Sequence, residues 1–305
     1  MINSKYNFRK DNKMKRTNKL LNIFLLASLA LTLLATTFAS LSVCLTYKES
    51  ISNIKISSPF SIFFIIFIVS ALALPIAQAI IIKDYKITRA KDTIFLKIAA
   101  IITIVALAVL SLYDFISAVS GISTNPPIFE TWRFIRIFAA VPFIASLVFT
   151  AFKKQIKVNN YIRYVVSLFS TAWILFSLLA IYFHKGSPPI PEYFRIMLSF
   201  NYIFGALFFL YDFKWNDFAS STRVYIALTT LFTTFSFVFA TAGLIGNIRM
   251  FSEATTSISI YEIGVCLAFG VFGLAKLTSI KQAVCITTKQ EKAKEELKNN
   301  QVKKG

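Results

Sequence analysis

The chain has little of what most metal and enzyme sites are built from. Among its 305 residues there is one histidine, His184, and there are three cysteines, Cys44, Cys266 and Cys285, with no Cys-x-x-Cys spacing. A single imidazole cannot form a multi-histidine metal or haem centre, and isolated cysteines indicate neither a disulfide framework nor a zinc site. We therefore predict no metal, no cofactor and no catalytic residue, and an enzyme is the less favoured class.

Charged residues are also scarce, and long stretches contain none. They form 15% of the chain, whereas hydrophobic residues form 56% and phenylalanine occupies 32 positions. Apolar runs of roughly 20 residues can cross the hydrocarbon core of a bilayer, and they must do so as helices. Eight segments qualify, at about 20–44, 58–82, 96–119, 132–152, 162–183, 194–213, 223–246 and 257–277. The sequence thus predicts an all-α, polytopic transmembrane bundle of about eight spans, with the lipid bilayer as its main partner.

Basic residues accumulate on one side of this predicted bundle. All 33 Lys and Arg fall in the N-terminal tail, the even-numbered loops or the C-terminal region, except Lys48, Lys55, Arg133, Arg136, Lys185, Arg195 and Arg249. Because Lys and Arg favour the cytoplasmic side, both termini are predicted to be cytoplasmic. Membrane orientation also explains the net charge of +19, and no nucleic-acid partner is predicted, since no basic-aromatic recognition pattern accompanies the charge.

Three regions follow from these patterns. Residues 1–19 are predicted to be a basic, disordered cytoplasmic tail near anionic headgroups, residues 20–280 an eight-helix transmembrane domain, and residues 281–305 a polar, basic cytoplasmic tail. The first apolar run is too long for a typical signal peptide and is interpreted as an uncleaved anchor. Short connections and the lack of an Asn-x-Ser/Thr sequon favour the bacterial cytoplasmic membrane as the location.

Two outer loops, with the helices that follow them, resemble each other. Residues 125–138 read NPPIFETWRFIRIF and residues 187–200 read SPPIPEYFRIMLSF. At a constant offset of 62 the identities are Pro126/Pro188, Pro127/Pro189, Ile128/Ile190, Glu130/Glu192, Arg133/Arg195 and Phe138/Phe200. One interpretation is an internal repeat, with four tandem helical hairpins of the same orientation. The other is that outer loops converge on proline, glutamate and an aromatic residue where a helix begins.

Ionisable side chains within the spans are the main candidates for a functional site, because burying them in lipid costs several kcal/mol. Asp114 lies about five residues from the outer end of the third span, Arg136 at a similar depth in the fourth, and Glu262 comparably deep in the eighth. Arg133 and Arg195 lie nearer the outer surface. These five residues are the predicted ligand-binding set. The inner half offers little beyond Gln78 and the interfacial Asp212.

Two interpretations of this outer set remain open. Asp114 and Arg136, matched in depth, are predicted to form a salt bridge that only pins two helices. Alternatively, the polar residues line an outward-opening site for an unknown small molecule or ion. The corresponding functions are a transporter or ligand-binding membrane protein, or a structural or accessory subunit that contacts a partner membrane protein through its helices.

Three weaker features concern helix packing. The hydroxyl-rich stretch around Thr229–Ser236 and the glycines Gly264, Gly270 and Gly273 are predicted packing sites. Pro75, Pro142 and Asn201 are candidate positions for irregular helices.

Overall fold

A computed structural model describes residues 2–46, 59–81, 93–122, 131–152, 156, 159–183, 192–218, 221–250 and 259–280. Within these ranges the chain forms helices and no strand. They are α1 (Ile2–Thr46), α2 (Pro59–Ile81), α3 (Ile94–Ile122), α4 (Thr131–Ala151), α5 (Asn160–Tyr182), α6 (Glu192–Phe218), α7 (Thr222–Met250) and α8 (Ile260–Ile280). All eight are long and apolar enough to cross a membrane. The protein is therefore a multi-pass membrane protein with an eight-span helical bundle, as predicted.

Two helix boundaries differ from the prediction in ways that matter. Helix α1 begins at Ile2, so the prediction of a disordered segment over residues 1–19 is wrong from residue 2 onward. The physical reason is that the first 58 residues contain neither glycine nor proline, so no residue interrupts the helix of the first span. Helix α8 continues to Ile280, three residues beyond the predicted end at 277, so Lys276 lies about one turn inside the helix rather than at its end.

Side-chain caps fix the first turns of three helices. The Thr93 hydroxyl accepts a hydrogen bond from the Leu96 amide at the start of α3, and the Asn159 side chain accepts one from the Tyr161 amide at the start of α5. The Ser259 hydroxyl accepts one from the Tyr261 amide at the start of α8. Each cap satisfies a backbone donor that the helix itself leaves open.

The three C-terminal helices form the centre of the bundle. In the apolar stretches of α6, α7 and α8, 61 to 72% of residues are buried, against 22 to 33% in α1 to α5. Helix α7 packs against α6, α1 and α2, while α4 packs between α3 and α5. Large apolar side chains such as Leu26, Ile80 and Phe138 point away from the protein. Facing lipid, they form the outer surface of the spans.

The helix count places both ends of the eight-helix bundle on the same side. We call this the inner end, after the predicted orientation, and we call the end with the α1–α2, α3–α4, α5–α6 and α7–α8 connections the outer end. The cytoplasmic position of the termini stays a prediction, as does the boundary of a tail at residues 281–305, which lies outside the described residues together with Cys285 and His184.

Helices α7 and α8 approach closely at two glycines. A Cβ atom on Gly273 would lie 2.2 Å from the Thr233 hydroxyl oxygen, and one on Gly270 would lie 3.1 Å from the Phe237 ring. Both glycines are therefore packing sites, as predicted. The prediction is wrong for Gly264, where a Cβ atom would have nothing within 4 Å. Helical rotation explains the difference, because Gly264 lies on the exposed side of α8.

We expect Gly273→Ala to destabilise the protein by about 1–3 kcal/mol, because the added methyl group overlaps the Thr233 hydroxyl and the packed helices cannot both stay in place. Gly264→Ala is the matched control on the same helix and should leave stability unchanged or slightly raised. Thermal unfolding in detergent measures both variants. Adding Thr233→Ala to Gly273→Ala should restore much of the loss; an unaltered melting temperature for Gly273→Ala alone would contradict this packing.

Hydroxyl groups of α7 serve the backbone and neighbouring helices. The hydroxyls of Thr230 and Thr233 donate to carbonyls one turn earlier in α7. The Thr234 hydroxyl is 2.8 Å from that of Thr32 and so joins α7 to α1. None of the three candidate positions breaks its helix, since α2 continues through Pro75, α4 through Pro142 and α6 through Asn201.

Candidate functional site

Asp114 and Arg136 form a bidentate ion pair between α3 and α4. The Arg136 Nε donates to Asp114 Oδ2 at 2.8 Å, and its Nη2 donates to Oδ1 at 2.7 Å. Asp114 is only 2% exposed and Arg136 only 4% exposed. Parallel N–H groups on a planar guanidinium match the two oxygens of a carboxylate, which makes this arrangement stronger than a single hydrogen bond. The predicted salt bridge across the α3–α4 contact is confirmed.

A second carboxylate occupies the remaining side of the same guanidinium. Arg136 Nη1 donates to both oxygens of Glu262 in α8, at 3.1 and 3.2 Å. The Tyr202 hydroxyl of α6 also donates to Glu262 Oε1. Four helices thus contribute to one buried polar cluster, and we call Asp114, Arg136, Tyr202 and Glu262 the outer cluster. Its contacts involve two carboxylates and one guanidinium.

Polar contacts continue from the outer cluster toward the middle of the bundle. Cys266 lies one helical turn beyond Glu262, and its sulfur accepts a hydrogen bond from the Asn201 amide at 3.2 Å. The Ser236 hydroxyl of α7 donates to the Asn201 carbonyl oxygen at 2.7 Å. All three side chains are fully buried. Asn201 therefore connects α6 to both α7 and α8 directly below the cluster.

The structure brings three of the five predicted site residues into direct contact, namely Asp114, Arg136 and Glu262. Arg133 lies one turn nearer the outer end of α4 and is within electrostatic range of Asp114. The Arg195 guanidinium lies over the ring of Tyr182 in α5, 5.9 Å from its centre. These two residues are only partly buried, so they are closer to water than the outer cluster.

The aromatic residues at matching positions of the two segments, Trp132 and Phe194, make different contacts. Trp132 of α4 stacks on Phe176 of α5 and on Phe183, which directly follows that helix, with ring centres 6.4 and 5.7 Å apart. Its counterpart Phe194 in α6 packs on Gly246, also in the next helix. The loop residues 125–130 and 187–191 lie outside the described residues. Duplication, and superposition of the hairpins by rotation about the membrane normal, stay predictions.

A second buried ion pair, absent from the predicted site, lies near the inner end. The Lys276 ammonium of α8 donates to both carboxylate oxygens of Asp212 in α6, each at 2.9 Å. The Tyr225 hydroxyl of α7 donates to Asp212 Oδ1. Asp212, Tyr225 and Lys276 are all less than a tenth exposed. We call these three residues the inner cluster. The prediction that the inner half holds little polar chemistry is therefore wrong.

Sequence reasoning missed the inner cluster because it placed both charges at the membrane surface. Lysine near a helix end commonly extends its ammonium group to water, and Asp212 lies at the end of the predicted sixth span, 194–213, where an aspartate can contact water. The spacing of Glu262 and Lys276 in the sequence does indicate that Lys276 is buried like Glu262. Lys276 is 14 residues from Glu262, about four turns along one helix, so both project from the same side of α8.

An aromatic layer separates the two clusters. Its rings come from five helices and are nearly all fully buried; they are Phe143, Trp173, Phe208, Phe209, Phe232, Phe269 and Phe272. Phe208 stacks on Phe232 with centres 4.9 Å apart, and Phe143 meets Phe209 edge-on at 5.0 Å. The rings pack tightly as offset and edge-to-face pairs.

Comparison with known proteins finds no family model, no curated protein and no solved structure that matches this chain. Functional inference therefore depends on the geometry of its own residues.

Proposed function

We propose that the protein is a transporter or ligand-binding membrane protein whose outer cluster binds a cation. The ligand class is a proton, a monovalent metal ion or the ammonium group of a small molecule. The observation that supports this most is the arrangement of Asp114 and Glu262 on opposite sides of Arg136. In this proposal the bundle supplies a site that is reached from the outer end.

A purely structural ion pair at Arg136 does not require the second carboxylate, Glu262. One carboxylate neutralises one guanidinium, and Asp114 already pairs with Arg136 in a bidentate geometry. Glu262 adds a further negative charge in the same buried space, where an excess charge costs several kcal/mol. Binding a cation would offset that excess. Arg133 contributes positive charge from nearer the surface, where water screens it more effectively.

The donor set favours a singly charged ligand. Among the residues that the structure describes, no three His, Cys, Asp or Glu side chains come close enough to hold a metal ion together. Divalent ions such as calcium take six to eight oxygen ligands, more than two carboxylates and one phenol provide. Carboxylate oxygens and the face of an aromatic ring are, in contrast, suitable contacts for an ammonium group.

Glu262→Gln tests the proposal because it removes the excess charge while keeping the size of the side chain. Thermal unfolding of purified protein is followed in N-methylglucamine chloride, with Na⁺, K⁺ or NH₄⁺ added, and at several pH values. We expect at least one cation to raise the melting temperature of the parent protein, since a ligand at 100 times its Kd stabilises by about 2.7 kcal/mol. The variant should fold but no longer respond.

Tyr182→Phe is the matched control for the outer end. Its hydroxyl meets Ser199 rather than the outer cluster, so this variant should keep the response to cations. A parent protein whose melting temperature is the same in every cation and at every pH would contradict the proposal, and so would an unchanged response in Glu262→Gln.

The alternative is a structural or accessory subunit. One observation favours it, because all three nitrogens of Arg136 already have carboxylate partners. In that case the outer cluster only joins α3, α4 and α8, and Glu262→Gln should change stability without changing any cation response.

A further inference from the structure

We infer that the protein moves its ligand across the membrane, and that the inner cluster together with the aromatic layer forms the inner barrier of the path. This inference rests on the proposed function, because the ligand that crosses is the cation bound at the outer cluster. Of the two forms of that proposal it takes the transporter, and it assigns Asp212, Tyr225 and Lys276 the role of closing the path at the inner end.

The two clusters share two helices, α6 and α8. Helix α6 provides Tyr202 to the outer cluster and Asp212 to the inner one, about 15 Å apart along the helix at 1.5 Å per residue. Helix α8 provides Glu262 and Lys276, about 21 Å apart. Any tilt of α6 relative to α8 therefore changes both clusters together. Such a pair of helices can open one end while the other stays closed.

Cationic groups face the aromatic layer from both sides. The Arg136 guanidinium lies 5.8 Å from the ring centre of Trp173, on the outer side of the layer. The Lys276 ammonium lies 5.3 Å from the ring centre of Phe272, on the inner side. The two cations lie at the two edges of the aromatic layer, and each pairs with at least one carboxylate. When such a pair separates, a mobile cation can contact the carboxylate in its place.

The inner ion pair is suited to open and close. Lys276 holds Asp212 through both oxygens, and Tyr225 adds a hydrogen bond from α7. A lysine ammonium is a compact charge on a flexible chain, so it can leave a carboxylate more readily than a bidentate arginine can. A cation arriving through the layer can take the place of the ammonium at Asp212. In this inference, the contact between Lys276 and Asp212 keeps the inner end closed.

The natural thiol of Cys266 reports on the barrier, because it lies between the outer cluster and the aromatic layer and is fully buried. Cys44→Ser with Cys285→Ser leaves it as the only thiol. A charged, water-soluble thiosulfonate is added to intact cells or to inside-out vesicles. The double variant Asp212→Asn, Lys276→Met removes both inner charges. It should speed modification of Cys266 from the inner face at least about tenfold, because it loses a charge-assisted interaction that holds the closed state.

Lys214→Gln is the matched control, since it removes an exposed lysine from the same end of α6. Modification in this control should stay as slow as in the parent. The inference is overturned if the double variant remains folded and reacts no faster than the control, or if its rate rises equally from both faces, which indicates general loosening. A different outcome separates this inference from the proposed function. If cations do not stabilise the parent protein, or stabilise Glu262→Gln equally, while the double variant still reacts faster from the inner face alone, only the proposed ligand class is overturned and the inner barrier stands.

Discussion

Replacing Arg136 by glutamine is expected to cost about 3–5 kcal/mol of stability, because it removes a cation that contacts two buried carboxylates. Asp114 and Glu262 then face each other at close range without the guanidinium between them. Glutamine can donate only one amide group and carries no charge. Thermal unfolding in detergent should show a large drop in melting temperature or a failure to purify as a folded protein.

The pattern of rescue distinguishes this cluster from a simple pair. Adding Asp114→Asn to Arg136→Gln should recover only part of the loss, because Glu262 still carries a buried charge. Adding Glu262→Gln as well should recover much more. Arg133→Gln, one turn away on α4 and only partly buried, serves as the control and should have a small effect. Full recovery in the Asp114→Asn, Arg136→Gln double variant would show that Glu262 is not part of the cluster.

Lys276→Met is expected to be the second most destabilising change, at about 3 kcal/mol. It removes the ammonium group that contacts both oxygens of Asp212 in a site where the lysine is only 3% exposed. Combining it with Asp212→Asn should restore most of the loss, because the amide can still accept from Tyr225 and no buried charge is left behind.

The measurement is again thermal unfolding, with Lys214→Gln as the control for losing a lysine at the inner end. Lys214 is exposed, so its removal should matter little. If Lys276→Met unfolds at the same temperature as Lys214→Gln, then Lys276 extends to water as the sequence suggested, and the inner cluster does not exist in the membrane.

The spans could be predicted because lipid imposes a requirement that the local sequence must meet. About 20 apolar residues and a fully bonded backbone are needed wherever a chain crosses the bilayer, whatever its neighbours are. The Asp114–Arg136 pair could be predicted for a related reason. The two residues lie on consecutive helices at matched depth, so a short connection brings them together once their faces agree.

The contacts to α8 could not be predicted in the same way. Glu262 is 126 residues from Arg136, and nothing in a single sequence states which helices become neighbours. The aromatic layer was equally hidden, since 32 phenylalanines occur throughout the chain and lipid accepts the same side chains as the interior does. Hydrophobic periodicity, which separates core from surface in water, therefore carries little information here.

Charge displacement by a cation tests the central claim most directly. Protein in liposomes is adsorbed on a solid-supported membrane, and the current is recorded after a jump in Na⁺, K⁺, NH₄⁺ or proton concentration. The account predicts a current for at least one of these cations in the parent and in Tyr182→Phe, and none in folded Glu262→Gln. The absence of any current in the parent, or equal currents in parent and Glu262→Gln, would contradict it.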